Sequence, residues 1–390
     1  MAKKVLVLGG GFAGLEAAIF LRKEEYDVTL VSERDYFYIY PTSIWVPVHK
    51  ADFGDVTIDM KELSRVHGFK FVRGRVAAIR AKEGRVELEN GTVLTGFDHL
   101  VVALGASKVK HEGIENTLSI CGEPKQALLM RQKLDELVEK GSGKIAMGFG
   151  GNPKDSTGVR GGPAFEMLFN VHDMLKKKGI RDNFELTFFA PMEKPGARLG
   201  EQALKMMDVF FQKLNIRKHF GKKIARFEAD GIVFEDGSKL ESDFTMFIPA
   251  NAGHPVFKNS DLPLTEAGFV EIDAYCRAKG FDNVWAVGDS AAIDGPDWRA
   301  KQGHIAEVMA RNTAHNIKVA DTGEGEMQDY LHHLNILCVM DSGDGAAFVY
   351  RDDKRGLMIP MPLVGHWLKK AWGLYCKYSK LEKIPRLPGL

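Results

Sequence analysis

The segment Gly9-Gly10-Gly11-Phe12-Ala13-Gly14 is the feature of this sequence that most restricts its fold. It fits the pattern G-x-G-x-x-G and stands between an apolar run, Lys4–Leu8, and a segment with helical spacing of apolar residues, Gly14–Lys23. A second apolar run, Val28–Val31, follows. Strand, glycine turn, helix and strand in this order predict a βαβ unit, and therefore an α/β fold with a parallel sheet.

The same turn predicts a nucleotide site. Glycines here let the chain turn tightly and let backbone N–H groups approach a pyrophosphate, which the helix N-terminus also attracts. Glu33 ends the second strand, nineteen residues after Gly14, where a carboxylate can accept hydrogen bonds from a ribose hydroxyl. The residues that we expect to contact a dinucleotide are Gly9, Gly11, Phe12, Ala13, Gly14 and Glu33.

The bulk composition is that of a globular protein with two or three domains. The chain has 390 residues and a net charge of +1, so its overall charge does not point to nucleic acid. Its four cysteines are far apart and form no C-x-x-C pair, which excludes a disulfide scaffold and predicts no metal site. We recognise no signal peptide, and no apolar run is long enough to span a membrane.

A second βαβ unit follows near the middle of the chain. Apolar runs at Lys144–Met147 and Glu185–Phe189 flank a helical segment at Ala164–Lys177. The first run leads into Gly148–Gly150, but Pro153 stands where the third glycine of the turn is needed, and proline has no N–H to offer a phosphate. We therefore predict two Rossmann-like domains, of which the second does not bind NAD(P)H.

Two later segments indicate which dinucleotide the first domain binds. Asp98–Ala106 is a strand that ends in Ala-Leu-Gly, and Phe281–Asp289 is a strand that ends in Gly-Asp. With the glycine turn, and in this order, they resemble the motifs of flavoprotein reductases that have two dinucleotide-binding domains. The resemblance implies FAD as the cofactor, with Asp289 hydrogen-bonded to its ribityl chain.

The order of these motifs predicts the division into domains. The FAD-binding domain is discontinuous and comprises residues 1–112 and 243–320. The second, NAD-type Rossmann-like domain comprises residues 113–242. Residues 321–390 form a C-terminal region.

Further segments resemble the sulfide:quinone oxidoreductase and flavocytochrome c sulfide dehydrogenase family. The most specific are the helix start Lys301–Glu307 and the cysteine segment Ile336–Asp341; Tyr36–Thr42, Leu118–Cys121 and Gly162–Glu166 also match. The resemblance implies an FAD-dependent oxidoreductase that passes electrons from sulfide to a quinone. It adds these cofactor contacts: Arg34, Pro41, Thr42, Val76, Ala103, Gly105, Gly288, Asp289, Lys301, Gln302 and Gly303.

The match to the family's redox cysteines is incomplete. Cys121 matches the first cysteine and Cys338 the third, but Arg160 stands six residues before Glu166, where the second is expected. Three alternatives stay open: Cys121 and Cys338 act together, Cys338 acts alone, or the chain does not oxidise sulfide in the family manner. Arg160 is a fixed cation that either draws an anionic substrate towards the flavin or lies on an exposed loop.

Lys301 and Glu307 stand six residues apart at the start of a predicted helix. The resemblance implies that Lys301 lies near the flavin or the quinone and that Glu307 relays protons to the quinone. Two-electron reduction of a quinone needs two protons, so a carboxylate beside a lysine suits this chemistry. A solvated ion pair is the alternative.

Residues 361–381 predict an amphipathic helix that docks on a membrane. Most of its lysines, among them Lys369 and Lys380, lie off the apolar stripe, and aromatic side chains beside lysines suit an anionic membrane interface. This predicts peripheral, monotopic attachment to the cytoplasmic membrane, on a face that the sequence leaves open. Packing of the stripe on the protein core is the alternative. The stripe consists of Val364, Trp367, Leu368, Ala371, Tyr375 and Tyr378.

Together these features predict a membrane-associated FAD-dependent oxidoreductase whose partners are a small sulfur-containing donor, a quinone and the membrane surface. Two other functions stay open. One is a type II NADH:quinone dehydrogenase, against which Pro153 argues. The other is a non-catalytic flavin subunit that relays electrons or binds a partner. The sequence also leaves the oligomeric state open, a homo-oligomer included.

Overall fold

The computed structural model describes residues 2–387, and these contain eight α-helices. The C-terminal region predicted at residues 321–390 therefore ends outside the described residues. The helices are α1 (Phe12–Lys23), α2 (Tyr40–Ser43), α3 (Met60–His67), α4 (Gln126–Lys140), α5 (Gly162–Lys177), α6 (Glu201–Lys213), α7 (Gly303–Thr322) and α8 (Val364–Lys380).

The described residues also form 24 strands. They are β1 (Lys4–Leu8), β2 (Asp27–Ser32), β3 (Tyr36–Tyr38), β4 (Thr57–Asp59), β5 (Lys70–Arg73), β6 (Val76–Arg80), β7 (Arg85–Leu88), β8 (Val93–Thr95), β9 (His99–Val102), β10 (Ala106–Lys108), β11 (Gly143–Phe149), β12 (Phe184–Ala190), β13 (Ile216–Phe220), β14 (Ile224–Glu228), β15 (Gly231–Phe234), β16 (Lys239–Glu241), β17 (Phe244–Ile248), β18 (Asn251–Gly253), β19 (Val270–Glu271), β20 (Val284–Ala286), β21 (Ala291–Ala292), β22 (Ile336–Asp341), β23 (Gly345–Arg351) and β24 (Gly356–Pro362).

Five parallel strands form the first sheet, in the order β20-β9-β1-β2-β5. The predicted strand Lys4–Leu8 coincides with β1, and β2 extends one residue beyond each end of its predicted range. Helix α1 packs on this sheet and against α7. Since β1 lies beside β9, and β9 beside β20, the three predicted nucleotide motifs reach the same edge of the sheet.

Four parallel strands form the second sheet, in the order β13-β12-β11-β17. Helix α5 packs on it through an aromatic core, in which the rings of Phe165 and Phe188 stack with centroids 4.3 Å apart. The predicted domain boundary at residue 243 is wrong by one strand. It assigns β17 to the first domain, whereas β17 pairs with β11, because its run Phe244–Ile248 is fully buried and completes the second sheet.

The C-terminal part packs on both sheets' helices. Strands β22, β23 and β24 form an antiparallel sheet, and α8 lies against all three strands and against α2. Among residues 2–387, no helix combines the length and the apolar character that crossing a membrane requires.

Candidate active site

The turn after β1 requires glycine at two positions. Gly9 has a φ of +110°, and a Cβ there would lie 2.1 Å from the carbonyl oxygen of Ala103, just after β9. A Cβ on Gly14 would lie 1.8 Å from the carbonyl oxygen of Gly9. Both distances are far below van der Waals contact, so only glycine lets α1 and the end of β9 come this close to β1.

The N-terminus of α1 faces free space. The helix begins at Phe12, no side chain caps it, and its first turn contains no acidic residue. A Cβ on Gly11, the residue before the helix, would meet no atom within 4 Å. The first-turn N–H groups, which have no carbonyl partner within a helix, are therefore open to an anion that the helix dipole favours. This geometry fits the pyrophosphate of FAD.

The other predicted contacts of the adenosine half lie around the end of β2. The exposed carboxylate of Glu33 lies 3.4 Å from Nε of Arg75, and a ribose hydroxyl can reach it from solvent. Arg34 donates a hydrogen bond to the hydroxyl of Tyr40 at 3.3 Å. The remaining predicted contacts lie on neighbouring elements: Pro41 and Thr42 in α2, Val76 at the start of β6, and Gln302 and Gly303 at the start of α7.

Ser290 connects the two later motifs. Its hydroxyl accepts a hydrogen bond from the N–H of Gly105 at 2.9 Å and donates one to the carbonyl of Gly105 at 3.2 Å. Gly105 follows β9, and Ser290 ends the 3-10 turn Gly288–Ser290 that follows β20. The glycine turn, Ala-Leu-Gly and Gly-Asp therefore meet at the carboxyl edge of the first sheet, where ligands bind in such folds.

Asp289 lies in a network of charged and polar side chains. Its carboxylate accepts a hydrogen bond from the guanidinium of Arg160 and another from Nδ2 of Asn251, at 3.3 Å. Oδ1 of Asn251 in turn accepts a hydrogen bond from Nζ of Lys108 at 2.7 Å. Burial acts to raise the pKa of Asp289, but Arg160, Lys301 and Lys108 outweigh it and hold this pKa below its usual value. Asp289 is therefore a carboxylate that accepts hydrogen bonds.

Lys301 is buried just before α7. Its Nζ donates a hydrogen bond to the backbone carbonyl of Asp289 at 3.1 Å and lies 3.1 Å from the ring centre of Phe269. Burial lowers the pKa of Lys301 to about 7, although Asp289 acts in the opposite direction. A lysine with this pKa can hold or release a proton near neutral pH.

The loop between β11 and α5 carries Arg160 to Asp289. A Cβ on Gly158 would lie 2.4 Å from the carbonyl oxygen of Asn251, and Asn152 donates its Nδ2–H to the same oxygen at 2.9 Å. These contacts hold the loop against the first site, and Arg160 is half-buried there. The alternative of an arginine on an exposed loop is therefore wrong.

Cys121 lies beside this network. It is half-buried, and Lys108 and Arg160 are the two cations whose charges act on its thiol. The backbone agrees with this position, because Leu118 pairs in parallel with Met246 of β17, so the segment to Cys121 runs in the same direction as the residues leading to Asn251, which pairs with Lys108. Burial raises the pKa of Cys121, while the two cations act to lower it. Cys121 is thus the cysteine that shares its charged surroundings with Asp289.

Cys338 lies in different electrostatic surroundings. Burial first, and then the charge of Glu166, raise the pKa of Cys338 to about 12, whereas Lys369 acts to lower it. Cys121 and Cys338 pack against the same apolar cluster, and the charge of Glu166 acts on both thiols. All four cysteines are free thiols.

Glu307 has other partners than the sequence predicts. Its carboxylate accepts a hydrogen bond from Nζ of Lys380, on α8, at 2.6 Å. The same Nζ donates to Glu16, on α1, at 3.1 Å, and Arg386 donates to Glu16 at 2.5 Å. The alternative of a solvated ion pair between Lys301 and Glu307 is therefore wrong, because Lys301 lies before α7 and contacts Asp289, whereas Glu307 lies within α7 and contacts Lys380.

The sequence predictions include a second buried carboxylate, that of Glu166, only as part of the segment Gly162–Glu166 that resembles the family. Glu166, on α5, accepts hydrogen bonds from the ammonium of Lys369 and, at 2.8 Å, from the N–H of Asp341. The Asp341 carboxylate accepts from Asn170 at 3.0 Å and lies 2.7 Å from Nδ1 of His366. In the sequence, Glu166 is the only acidic residue within an apolar stretch of α5, and Glu16 has the same position in α1. Such a pattern indicates a buried carboxylate.

The structure reverses the predicted orientation of the lysines of α8. Lys369 and Lys380 point into the protein and are buried, because their partners Glu166 and Glu16 are core carboxylates that need counter-charges. These two lysines therefore cannot bind lipid headgroups. Much of the apolar stripe is exposed on the protein surface, so the alternative prediction, that the stripe packs on the protein core, is wrong too. Its most exposed side chains are Val364 (68%), Trp367 (65%), Leu368 (46%) and Tyr378 (40%).

The comparison with known families agrees with this site. The family model of the pyridine nucleotide-disulphide oxidoreductases matches residues 3–317, most of the chain. This protein belongs to that family. As a pyridine nucleotide-disulphide oxidoreductase it is a flavoprotein, which confirms the predictions of an oxidoreductase and of FAD.

Individual relatives in this family share most of the chain's length. The sulfide-quinone reductase of Aquifex aeolicus is 28% identical over 400 residues, which cover 96% of this chain and 90% of that protein. A type II NADH:quinone oxidoreductase of Staphylococcus saprophyticus is 23% identical and covers 91% of each chain.

Solved structures of other proteins have the same fold. The sulfide:quinone oxidoreductase of Aquifex aeolicus superimposes with a TM-score of 0.85 at 25% identity, covering 98% of this chain and 92% of that one. The NDH2 of Plasmodium falciparum in complex with NADH gives a TM-score of 0.78 at 12% identity over the whole of both chains. The predicted α/β fold with two Rossmann-like units is thereby confirmed.

Proposed function

We propose that this protein transfers electrons from sulfide, or a related small sulfur compound, to a quinone. The observation that carries the proposal is the thiol of Cys121 beside Arg160 and Asp289, at the edge of the sheet where FAD fits. The likeness to the sulfide-quinone reductase of Aquifex aeolicus over almost the whole chain supports it. Sulfur chemistry needs a sulfur atom close to the electron acceptor, and the proposal gives this role to Cys121.

The side chains around the site have separable roles in this proposal. Bound FAD supplies the two-electron chemistry. Asp289 would accept hydrogen bonds from the hydroxyl-bearing chain of the cofactor, and it keeps Arg160 in place. Lys301, buried and with a pKa of about 7, holds or releases a proton beside the cofactor.

Oxidation of NADH is the main rival function, and the second sheet argues against it. In a dinucleotide turn the helix starts directly after the strand, so that its N-terminus can face the pyrophosphate. Here β11 ends at Phe149 and α5 begins only at Gly162, and the loop between them is held against Asn251. A Cβ on Gly148 would lie 2.2 Å from the carbonyl of Phe189, so this glycine serves strand packing.

We also propose that α8 docks on a membrane surface. The exposed apolar side chains of Val364, Trp367 and Leu368 continue into Leu363 and Ile359, which are 71% and 50% exposed. A contiguous apolar patch that includes a tryptophan suits the interface of a bilayer. Docking there gives a lipid-soluble quinone a dry route to the protein.

Anaerobic titration of the purified FAD-containing protein tests the proposed function. Sulfide should bleach the visible flavin band, and a quinone analogue should restore it. NADH at the same concentration should leave the band unchanged, since a long loop separates the end of β11 at Phe149 from the start of α5 at Gly162 and prevents a dinucleotide turn there.

The same titration separates the rivals. Bleaching by NADH and not by sulfide would identify an NADH:quinone oxidoreductase. A flavin that neither donor bleaches would identify a subunit that relays electrons or binds a partner.

A further inference from the structure

We propose that Arg160 and Lys108 form an anion-binding site beside Cys121, and that the sulfur donor binds there as a singly charged sulfur anion. Hydrosulfide and a small thiolate share this chemistry. The identity of the ligand as electron donor rests on the proposed function, whereas the anion site itself rests on the charges and contacts that follow.

One chain of hydrogen bonds positions both cations. Lys108 donates to Oδ1 of Asn251, Nδ2 of Asn251 donates to Asp289, and Arg160 donates to the same carboxylate. Asn251 is buried, at 2% exposure, and therefore holds Lys108 and Asp289 in fixed positions relative to each other. Lys108 and Arg160 are both among the charges that act on the thiol of Cys121.

The two cations have donors to spare. A lysine ammonium has three N–H groups and an arginine guanidinium has five. Within residues 2–387 the structure records one hydrogen bond from each side chain to a protein acceptor. The unused donors of Lys108 and Arg160 can converge on a ligand without breaking the contacts that hold them.

The local charge is unbalanced in favour of an anion. Arg160 has Asp289 as its counter-ion, but the hydrogen-bond partner of Lys108 is the neutral amide of Asn251. The loss of hydration disfavours the cation of Lys108, and its pKa is lowered mainly by burial. Lys108, Arg160 and Asp289 together carry a net charge of +1, which one singly charged anion neutralises. Glu166, the other carboxylate whose charge acts on Cys121, is neutralised by its ion pair with Lys369, and Lys301 adds positive charge near Asp289 when it is protonated.

The place of Cys121 selects the class of anion. A donor held by Lys108 and Arg160 lies next to a thiol, and the same cations favour sulfur as an anion, which is its nucleophilic form. Oxyanions can share the charge complementarity, but they bring no nucleophilic sulfur to Cys121. The site is therefore assigned to hydrosulfide or a small thiolate.

Thiocyanate, a singly charged anion containing sulfur, is the probe for the site. Its dissociation constant from the oxidised, FAD-containing protein is measured by calorimetry and by the change in the flavin band. Lys108→Met and Arg160→Gln should each weaken binding by about tenfold or more, since each removes a charged hydrogen-bond donor. Arg160→Lys keeps the charge and should weaken it less.

Lys154→Met is the matched control. Lys154 lies in the same loop as Arg160 and is exposed, and it pairs with Glu266 at 2.9 Å. This variant removes one positive charge away from the proposed site and should bind thiocyanate as the wild type does. Equal weakening in Lys154→Met, or unchanged binding in both Lys108→Met and Arg160→Gln, would overturn the proposal.

Competition identifies the natural anion and keeps the two proposals apart. Hydrosulfide and methanethiolate are each added, without oxygen, against bound thiocyanate. Displacement by one or both supports the site and names its ligand, and displacement by neither overturns it. If the anions bind but hydrosulfide does not bleach the flavin, the proposed function fails while the anion site stands.

Discussion

Arg160 changes what the loop before α5 can do. A guanidinium stays charged at every physiological pH but cannot exchange sulfur. In the structure it engages Asp289 at the edge of the first sheet. A fixed positive charge therefore occupies the region where the family resemblance implies a thiol, which leaves the sulfur chemistry of this site to Cys121 and Cys338.

Replacing the two cysteines one at a time tests which of them reacts. Cys121→Ala should slow reduction of the flavin by sulfide by about 100-fold or more, because it removes the thiol on which the charges of Lys108 and Arg160 act. Stopped-flow absorbance measures the rate. Cys276→Ala, in the core of the first domain, is the control and should react as the wild type does. A wild-type rate in Cys121→Ala together with loss in Cys338→Ala would assign the reaction to Cys338 alone.

Lys301 should make the stability of the protein depend on pH. Its folded-state pKa of about 7 lies below the usual value of 10.5, so between these values the unfolded chain binds a proton that the folded chain lacks. The free energy of unfolding therefore rises with pH through this range. At about 1.4 kcal/mol per pKa unit, wild type should gain about 3 kcal/mol over Lys301→Met between pH 7 and pH 9.5. Urea unfolding at both pH values measures this, and parallel pH profiles would contradict it.

At the scale of elements, α8 combines buried lysines with exposed aromatic side chains. Gly365, Lys369, Cys376 and Lys380 face the protein at a spacing of four, seven and four residues, which is one face of a helix. The opposite face presents Trp367 and its apolar neighbours. One face of α8 therefore contacts buried carboxylates of the core, and the other face is exposed.

Changes on the outer face of α8 should weaken attachment to vesicles without affecting folding. Trp367→Ser and Leu368→Ser should each reduce binding to phosphatidylglycerol-containing vesicles by about tenfold or more, since each removes a large apolar contact with lipid. Co-sedimentation measures the affinity. Leu129→Ser, on α4, is the matched control because Leu129 is 51% exposed, which is close to the 46% of Leu368. Unchanged binding in both α8 variants, or equal loss in the control, would exclude docking through α8.

The sequence predicted the elements around the glycine turn well, because their pattern is local. An apolar run that ends in a G-x-G-x-x-G turn predicts a strand, and β1 agrees with this prediction at both ends. The predicted boundary at residue 243 puts β17 in the wrong domain, since the sequence of a short buried strand does not show which strand it pairs with.

The orientation of α8 and the partners of Glu307 could not be predicted from the sequence. An apolar stripe defines two faces of a helix but not which face meets the protein. That depends on Glu16 and Glu166, which lie hundreds of residues earlier in the chain and contact α8 only in the fold.

At the scale of the whole molecule, α8 holds two separately built parts together. Lys369 pairs with Glu166 on α5, beside the second sheet, and Lys380 pairs with Glu16 and Glu307 on α1 and α7, beside the first. The same helix contacts α2 and the three C-terminal strands. The position of one sheet relative to the other therefore depends in part on two buried lysines of one helix.

Removing either lysine should destabilise the protein. Lys369→Met leaves Glu166 buried without its counter-charge. Lys380→Met removes the ammonium that Glu16 and Glu307 share, but Glu16 keeps Arg386 and Arg311 as cationic partners. Lys369→Met should therefore lower the free energy of unfolding by about 3 kcal/mol or more, and Lys380→Met should lower it by less. Since the two clusters share no partner, the losses should add in the double variant. Chemical denaturation of the three variants measures them.

Two further results bear on this expectation. The paired replacement Glu166→Leu with Lys369→Leu should recover much of the stability, because it removes both charges at once. Losses below about 1 kcal/mol for the single variants would show that Glu166 and Glu16 do not depend on α8.

The inward lysines of α8 also have a consequence for the order in which the chain is completed during synthesis. Glu16 and Glu166 leave the ribosome well before their partners, because Lys369 follows Glu166 by 203 residues and Lys380 follows Glu16 by 364 residues. Until then Glu166 lacks the counter-charge of Lys369 and Glu16 lacks that of Lys380, so burying either carboxylate is costly. A chain interrupted before residue 364 therefore closes its two cores less stably than a chain that includes α8.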